Sequence, residues 1–404
     1  MKQYLIANPA IVVDKFPDRL LLINLLNKEL SEVENGNNGY ALIENLFGEE
    51  ANGIIDFEDD PTVNPDLIAN MIEKDYAQKL NTNSSIRPIS FNRNETVILK
   101  DPQKILLGVS PEENYYSIGR NIYENISETY IFCGGNCSVE CKACTSIIKS
   151  HPACNCESTA ISSFDLLALV NLASKLRNKT TIIVNEYDQK QSFFLEHRNL
   201  LSNIYIGINA LEYLKNEKEV EFIFENRIII YFPSSLIKPS ILEKFKTKNK
   251  KELMFFVEEE ENLNIIESYI TNSSFEHSVK LKPVYNGSNA DFITENVYVS
   301  KEEIISCIRN THEIEIRKKI NSFFWGKVYF YSGQRFKTSL YQNSYFELEK
   351  TSIPDAIYKA MSTENDWNLT RNKVESCNNC NFRFLCPPIS NIEKTMNQFK
   401  ICKL

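Results

Sequence analysis

The chain of 404 residues lacks both a long apolar run and an excess of positive charge. No stretch approaches the ~18 apolar residues that a membrane helix needs. The net charge is −8, which predicts no general nucleic-acid-binding surface. The first residues, MKQYLIANPAIVVDKF, contain neither a long apolar segment nor a small-residue cleavage site, so no signal peptide is predicted. We therefore expect a cytoplasmic protein.

The usual motifs of nucleotide and hydrolytic chemistry are also missing. The sequence contains no Walker A loop, no G-x-G-x-x-G and no H-E-x-x-H. It has no Gly-x-Ser-x-Gly elbow and only four histidines, which argues against a serine hydrolase. Nucleotide-binding, zinc-protease and serine-hydrolase functions are therefore disfavoured.

Cysteine is absent from the first 132 residues and then becomes abundant. Of the eleven cysteines, six lie between Cys133 and Cys156 and four between Cys377 and Cys402. In a reducing cytosol, clustered cysteines are more often metal ligands than disulfides. Because eleven is odd, complete pairing within the chain is also excluded. An iron–sulfur cluster, a zinc site and buried thiols without a role remain open at this point.

The apolar pattern divides the chain into three regions, 1–125, 126–322 and 323–404. The first begins with alternating apolar residues and continues with helical spacing, which predicts a small α+β domain. In the second, six apolar strands alternate with helices, which predicts a parallel sheet covered on both faces: a partial (βα)6 barrel or a doubly wound sheet. Residues 300–321 are predicted as one long helix. The third region starts with a predicted hairpin and is otherwise cysteine-rich and loop-like.

A first cysteine motif follows the first strand of the second region. Cys137, Cys141 and Cys144 form C-x3-C-x2-C. Three thiolates can hold three irons of a [4Fe–4S] cluster and leave the fourth iron open. The loop at the carboxyl end of a barrel strand is also where sites on such sheets are built. In spacing and position the motif resembles the cluster loop of the radical S-adenosylmethionine superfamily, which implies that S-adenosylmethionine binds the open iron.

Two positions depart from that superfamily. Ala143 stands where an aromatic residue is usual, and the second strand, TTIIVNEYDQ, lacks the Gly-Gly-Glu stretch that holds the amino group of S-adenosylmethionine. Glu186 is the candidate for that contact, although it could also be a solvated strand end. Cys154 or Cys156 could occupy the open iron, which would exclude S-adenosylmethionine.

A second motif closes the chain with C-x2-C-x5-C and one later cysteine. Four cysteines, Cys377, Cys380, Cys386 and Cys402, can ligate a zinc ion or an iron–sulfur cluster. The motif, followed by two prolines, resembles the SPASM extension of radical S-adenosylmethionine enzymes that modify peptides. That resemblance implies an auxiliary [4Fe–4S] cluster. Because the preceding hairpin contains no cysteine, one auxiliary cluster is expected rather than two.

The similarity extends over most of the chain. Segments such as FFWGKVYFYSGQRF, DWNLTR and LCPPISNIE resemble a Bacteroidales-type group of pseudo-radical-SAM/SPASM proteins of peptide maturation. The resemblance implies radical modification of a ribosomally made precursor peptide, with a maturase or transporter as a further partner. It also implies a winged-helix-like N-terminal domain, with RLLLINLL as the edge strand to which a leader peptide adds. For the N-terminal region, the alternative is a domain with a packing role only. For the whole chain, the alternatives are a zinc-binding structural protein and a catalytically inactive protein that presents the precursor peptide.

Overall fold

The computed structural model describes most of the chain in several ranges. These are residues 2–48, 53–56, 65–84, 88, 122–137, 139, 141, 152, 159–176, 178–246, 251–272, 277–307, 310–400 and 402. Within these ranges no helix is long and apolar enough to cross a membrane.

The described part of the N-terminal region contains two three-stranded antiparallel sheets and two α-helices. One sheet has the order β5-β1-β6 and the other β2-β3-β4. Asn37 caps the first helix, because its side chain accepts a hydrogen bond from the Gly39 N–H at 2.9 Å. The elements are β1 Lys2–Ala7, β2 Ile11–Lys15, β3 Arg19–Asn24, β4 Glu29–Glu34, α1 Asn38–Phe47, β5 Ile54–Asp56, α2 Pro65–Glu73 and β6 Ala77–Thr82.

The predicted edge strand is not an edge. Strand β3, which carries most of RLLLINLL, pairs with β2 on one side and with β4 on the other. The prediction was wrong because a run of apolar residues reports burial of side chains and contains no information on which backbone groups stay unpaired. Among the described strands, β4 lies at the outer edge of this sheet.

A nine-stranded sheet forms the centre of the molecule, with the order β12-β11-β10-β9-β8-β7-β13-β14-β15. Strands β7 to β12 pair in parallel, each beside the next along the chain, which confirms the predicted parallel sheet. This sequential order excludes the doubly wound alternative, in which the strand order reverses at a switch point. The strands are β7 Glu128–Phe132, β8 Lys179–Val184, β9 Ile204–Asn209, β10 Ile228–Phe232, β11 Glu252–Val257, β12 Ser278–Pro283, β13 Lys327–Tyr331, β14 Arg335–Lys337 and β15 Phe346–Glu347.

Helices connect these strands and cover one face of the sheet. The helix predicted over residues 300–321 is instead two helices, because Asn310 starts a new one by accepting a hydrogen bond from the Glu313 N–H at 2.9 Å. The helices are α3 Ser163–Ser174, α4 Gln191–Glu196, α5 Ala210–Lys215, α6 Glu217–Phe224, α7 Pro239–Leu242, α8 Glu260–Thr271, α9 Ala290–Asn296, α10 Lys301–Ser306, α11 Thr311–Lys319, α12 Ile353–Ser362 and α13 Asn391–Met396.

The two faces of the nine-stranded sheet differ in composition. One face, with residues such as Ile182 and Phe255, packs with the helices into the largest core cluster. The opposite face is rich in aromatic residues, and its cluster of described buried residues contains Tyr130, Tyr231 and Tyr329 but no helix residue. Buried side chains therefore cover both faces, as expected, and we call the second face the helix-free face because no described residue of its cluster lies in a helix. With sequential strand order, right-handed crossovers bring every helix to the same face.

The N-terminal sheet β2–β4 packs against the C-terminal region. Leu20 and Leu22 point into the core of the N-terminal region. Leu21 and Ile23, on the opposite face, pack with Phe384 and with residues of α10 and α11. Both faces of this sheet are therefore buried, and the two ends of the chain share one hydrophobic cluster.

Candidate metal and cofactor sites

The first cysteine loop leaves the sheet directly after β7. Cys133 still continues the ladder, since its N–H donates to the Ile183 carbonyl at 2.9 Å. Gly134 and Gly135 then adopt φ values of +68° and +93°, which are favourable only for glycine, and turn the chain away from the strand. Cys137 is half-buried and packs against the helix-side core. The double glycine therefore positions the cysteine motif at the carboxyl edge of the sheet.

Glu186 lies at the same edge, beside this loop. It follows β8, the neighbour of β7, and the Asn185 side chain donates to the Gly135 carbonyl at 3.1 Å. A Cβ atom added at Gly135 would lie 2.8 Å from Glu186 Oε2, so the carboxylate packs directly against the glycine backbone. The Gln189 side chain donates a hydrogen bond to the same carboxylate oxygen. Glu186 is thus held by the fold next to the segment that leads into the cysteines.

The remaining cysteines of this region divide into described and undescribed residues. Cys141 is half-buried and contacts the clusters on both faces of the sheet. Burial raises the pKa of Cys133 to about 12, so this thiol is protonated at neutral pH and belongs to the core. The proposed ligand Cys144 and the alternative fourth ligands Cys154 and Cys156 lie outside the described residues. The three-cysteine site therefore stays a prediction.

The four C-terminal cysteines line one cavity of about 230 Å³. Consecutive turns bring the motif together: the Cys380 N–H donates to the Cys377 carbonyl at 3.0 Å, and the Cys386 N–H donates to the Phe382 carbonyl at 2.8 Å. The last cysteine, Cys402, is held beside the others by a parallel bridge to Val299. Cys377, Cys380 and Cys386 are close together in sequence, and the fold brings the more distant Cys402 to the same cavity.

Hydrogen-bond donors contact the sulfur atoms of Cys377 and Cys380. The Arg371 guanidinium lies 3.8 Å from Cys377 Sγ, and the Phe382 N–H donates to Cys380 Sγ at 3.4 Å. Two further cations, Arg383 and Lys400, also line the cavity. Such donors and cations compensate the negative charge of metal-bound thiolates and shift the potential of a redox centre.

The chemistry of the four thiols fits more than one kind of metal site. Within the described residues no group of three or more His, Cys, Asp or Glu side chains is compact enough to hold one metal ion. The four thiols line one cavity. Cysteine thiolates ligate both zinc and iron–sulfur clusters, so the residues present fit either group.

A buried ion pair between Arg371 and Glu393 borders this cavity. Arg371 Nη1 lies 3.0 Å from Glu393 Oε1, with the two side chains 5% and 0% exposed. Burial raises the pKa of Glu393, and the Arg371 charge opposes that rise. Burial also raises the pKa of Cys386 to about 12, again against the effect of Arg371. A metal that binds Cys386 must therefore displace a proton.

Sequence reasoning missed Arg371, Arg383 and the positioning role of Gly135. Arg371 directly follows the segment DWNLT, but nothing in the cysteine spacing indicated that its guanidinium contacts a cysteine. The double glycine directly before the cysteine motif was the available signal for a tight turn at this place.

Comparisons with known proteins give little further support. Neither a family model nor a curated protein matches the chain. Among solved structures, the chain is similar to SuiB of Streptococcus suis bound to S-adenosylmethionine, with a TM-score of 0.38, 10% identity and 99% of both chains covered. It is also similar to SuiB bound to the precursor peptide SuiA, with a TM-score of 0.39, 12% identity and 100% of both chains covered. Scores and identities this low support no argument about the site, and the resemblance drawn from the sequence stays a prediction.

Proposed function

We propose that the chain is an iron–sulfur protein that modifies a ribosomally made precursor peptide by radical chemistry derived from S-adenosylmethionine. In this proposal residues 1–125 bind the peptide, residues 126–322 form a partial (βα)6 barrel, and residues 323–404 form a SPASM-like domain. Cys137, Cys141 and Cys144 hold one [4Fe–4S] cluster. The second, auxiliary cluster is held by Cys377, Cys380, Cys386 and Cys402.

One observation carries the proposal: the cysteine loop and Glu186 meet at one edge of the parallel sheet. The loop follows the first strand, and the carboxylate follows the second and packs against Gly135. The carboxyl edge of parallel strands is the usual place for ligand sites in such sheets. An acceptor for an amino group therefore stands beside the residues proposed to hold the cluster.

The barrel assignment is supported by a cavity on the helix-free face. Lys280 of β12 and Lys327 of β13 line the same cavity of about 120 Å³. These strands are six positions apart in the sheet order, which on a flat sheet corresponds to ~29 Å at ~4.8 Å per strand. A cavity this small can contact both strands only if the sheet is strongly curved around the helix-free face.

The chain's own residues have separate roles in this proposal. Cys137, Cys141 and Cys144 would hold a cluster that, when reduced, would supply one electron to S-adenosylmethionine and so yield methionine and a 5′-deoxyadenosyl radical. Glu186 accepts hydrogen bonds from the amino group of S-adenosylmethionine, and the absence of a side chain at Gly135 leaves room for that approach. Tyr130 and Tyr329, stacked with ring centroids 5.5 Å apart, help to exclude water from the helix-free face.

Peptide binding is assigned to β4, which replaces the apolar strand expected from the sequence. In the described part of the chain β4 pairs only with β3, so its outer side can accept an added peptide strand. Its side chains from Glu29 to Glu34 include three exposed glutamates, which favour a leader with basic residues.

The test begins with anaerobic purification and analysis of iron and sulfide. The variant with Cys377, Cys380, Cys386 and Cys402 replaced by serine should lose about one cluster of iron, and the variant with Cys137, Cys141 and Cys144 replaced should lose the other. Cys307→Ser is the matched control, since Cys307 is an exposed cysteine away from both motifs. Reconstitution with zinc in place of iron at both sites would contradict the proposal.

A second measurement distinguishes an active enzyme from a catalytically inactive protein that presents the precursor. The absence of Gly-Gly-Glu and the presence of Ala143 favour the inactive protein. With reductant, S-adenosylmethionine and precursor present, the enzyme should yield 5′-deoxyadenosine and change its paramagnetic resonance spectrum. Glu186→Gln should weaken S-adenosylmethionine binding by about 1.5–3 kcal/mol, the value of a charge-assisted hydrogen bond. Precursor binding with an unresponsive cluster and no 5′-deoxyadenosine would establish the presenting role instead.

A further inference from the structure

A second charged site lies on the helix-free face, at the opposite edge from the cysteine loop. Glu128, Lys179, Glu252 and Lys327 are the first residues of β7, β8, β11 and β13. All four line the cavity of about 120 Å³. Its remaining charged lining residues among those described are Lys280 and Lys282 of β12. We call these six residues and the space between them the basic cavity.

The basic cavity carries more positive than negative charge, with four lysines against two glutamates. Glu252 is already paired, since Lys280 Nζ lies 2.9 Å and Lys179 Nζ 3.8 Å from its carboxylate. Glu128 accepts a hydrogen bond from the Tyr130 hydroxyl. The six side chains therefore carry a formal net charge of +2, and two of the four lysines have no ion pair among the described residues.

Lys282 and Lys327 are those two lysines. Among the described residues neither has a carboxylate oxygen within 4.0 Å of its ammonium group. The Lys327 ammonium lies 4.5 Å from the centre of the Phe323 ring, which restricts its position. Among the described residues, two ammonium groups therefore face one partly enclosed space without a carboxylate in direct contact.

The electrostatics of the two lysines agree with this geometry. Burial lowers the pKa of Lys327, Glu128 opposes that effect, and the charge of Lys282 lowers it further. Burial also lowers the pKa of Lys282, together with the charge of Lys280, while the charges of Glu128 and Glu252 oppose this effect. An anion between the two groups would stabilise their charged forms.

We propose that the basic cavity binds a small oxyanion, the phosphate or carboxylate group of a low-molecular-weight ligand, between Lys282 and Lys327. The volume of about 120 Å³ is roughly four times the ~30 Å³ that one water occupies in the liquid. A phosphate fits this space together with a bound water. Lysine ammonium groups bind phosphate as point charges, which suits a site without a planar guanidinium fork. The proposal is independent of the radical chemistry at the other edge.

The experiment titrates the full-length protein with inorganic phosphate in a low-salt buffer and follows binding by calorimetry and ³¹P line broadening. Wild type should show one saturable site. Lys282→Met and Lys327→Met should each weaken binding about tenfold or more, as expected for a lost hydrogen bond to a charged group. Lys350→Met is the matched control, because Lys350 pairs with Glu347 on the exposed surface, and its affinity should equal that of wild type.

Two further measurements identify the class of anion and test the charge of the site independently of the lysine variants. Acetate that displaces phosphate at comparable concentration assigns a carboxylate ligand, whereas phosphate binding that resists acetate assigns a phosphate. Glu128→Gln keeps an acceptor for Tyr130 and removes a negative charge, so it should tighten phosphate binding several-fold even if a lysine variant fails to fold. Absence of saturable binding to wild type, unchanged affinity in the Lys282→Met/Lys327→Met double variant, or unchanged affinity in Glu128→Gln would overturn the proposal.

Discussion

His277 couples the stability of the protein to pH through two backbone contacts. Its Nδ1 accepts a hydrogen bond from the Lys251 N–H at 3.2 Å, so its Nε2 carries the proton and donates to the Phe245 carbonyl at 3.0 Å. Burial lowers the pKa of His277 below 6.5; the Phe245 hydrogen bond opposes this and the Lys251 charge adds to it. The folded protein therefore holds this ring in its neutral form.

The first prediction concerns stability between neutral and acidic pH. Since the unfolded chain binds the proton more tightly, the contribution of His277 is complete above a pH of about 6.5 and is lost as the pH falls through the lowered pKa. The free energy of unfolding should fall by at most about 1.4 kcal/mol per pH unit from this source. His277→Gln should flatten that slope in urea unfolding at pH 7.5 and 5.5. An unchanged slope in His277→Gln would contradict the assignment.

Gly207 lies at a position with no room for a side chain. A Cβ atom at this position would lie 2.5 Å from Tyr231 Oη and 2.7 Å from Ile183 Cδ1. Tyr231 crosses over β9 on the helix-free face and occupies the space that a side chain would need.

The second prediction is that Gly207→Ala destabilises the protein by about 1–3 kcal/mol, the usual cost of overpacking a core. Denaturant unfolding measures the effect. In Gly207→Ala/Tyr231→Phe, loss of the hydroxyl should recover part of it. Equal destabilisation by Gly207→Ala in the presence and absence of the Tyr231 hydroxyl would show that the clash with Oη is not the cause.

At the scale of elements, apolar runs identified the six parallel strands of the central sheet, because a strand buried on both faces has no reason to alternate. The same reasoning missed the helix break at Asn310, where one side chain caps a new helix. It also failed for β3, since pairing with both neighbours is decided by how the N-terminal strands come together.

The third prediction tests peptide addition at β4. Successive residues of an edge strand direct their N–H groups alternately inward and outward, so Leu30 and Val33, three positions apart, point in opposite directions. Of Leu30→Pro and Val33→Pro, one should remove a ladder hydrogen bond and lower stability, while the other should leave the ladder intact and weaken precursor binding. Unfolding experiments and fluorescence binding of the precursor measure the two effects. If neither folded variant binds the precursor more weakly than wild type, β4 is not the peptide site.

At the scale of the whole molecule, the two ends of the chain act as one structure. Arg383 lines the C-terminal cysteine cavity and contacts Asp14 of β2 through two hydrogen bonds, of 2.6 and 2.8 Å. The two side chains are 10% and 6% exposed. The N-terminal region on its own would expose the apolar face that includes Leu21 and Ile23, so precursor binding is better measured on the full chain.

The fourth prediction is that Asp14→Ala destabilises the protein by about 3–5 kcal/mol, because Arg383 would stay buried without its counter-ion. Denaturant unfolding with iron content as a second readout should show earlier unfolding and easier loss of the C-terminal cluster. Asp18→Ala is the control, since the Asp18 side chain is 71% exposed and Arg19 keeps its ion pair with Glu32, so the substitution should cost less than about 1 kcal/mol. Equal effects of both substitutions would mean that the buried pair does not hold the ends together.

The sequence by itself determined the features that depend on local pattern: the parallel strands of the central sheet, the positions of the two cysteine motifs and the candidate Glu186. These follow from the polarity and spacing of residues close together in the chain. Only the tertiary structure decided that Glu186 packs against Gly135, that Arg371 and Arg383 reach the C-terminal cysteine cavity, and that six charged residues form the basic cavity. These contacts join residues from strands and loops far apart in sequence, and they depend on strand order, register and curvature. Strand order, register and curvature depend on how the whole chain packs, so no local pattern of side chains predicts them.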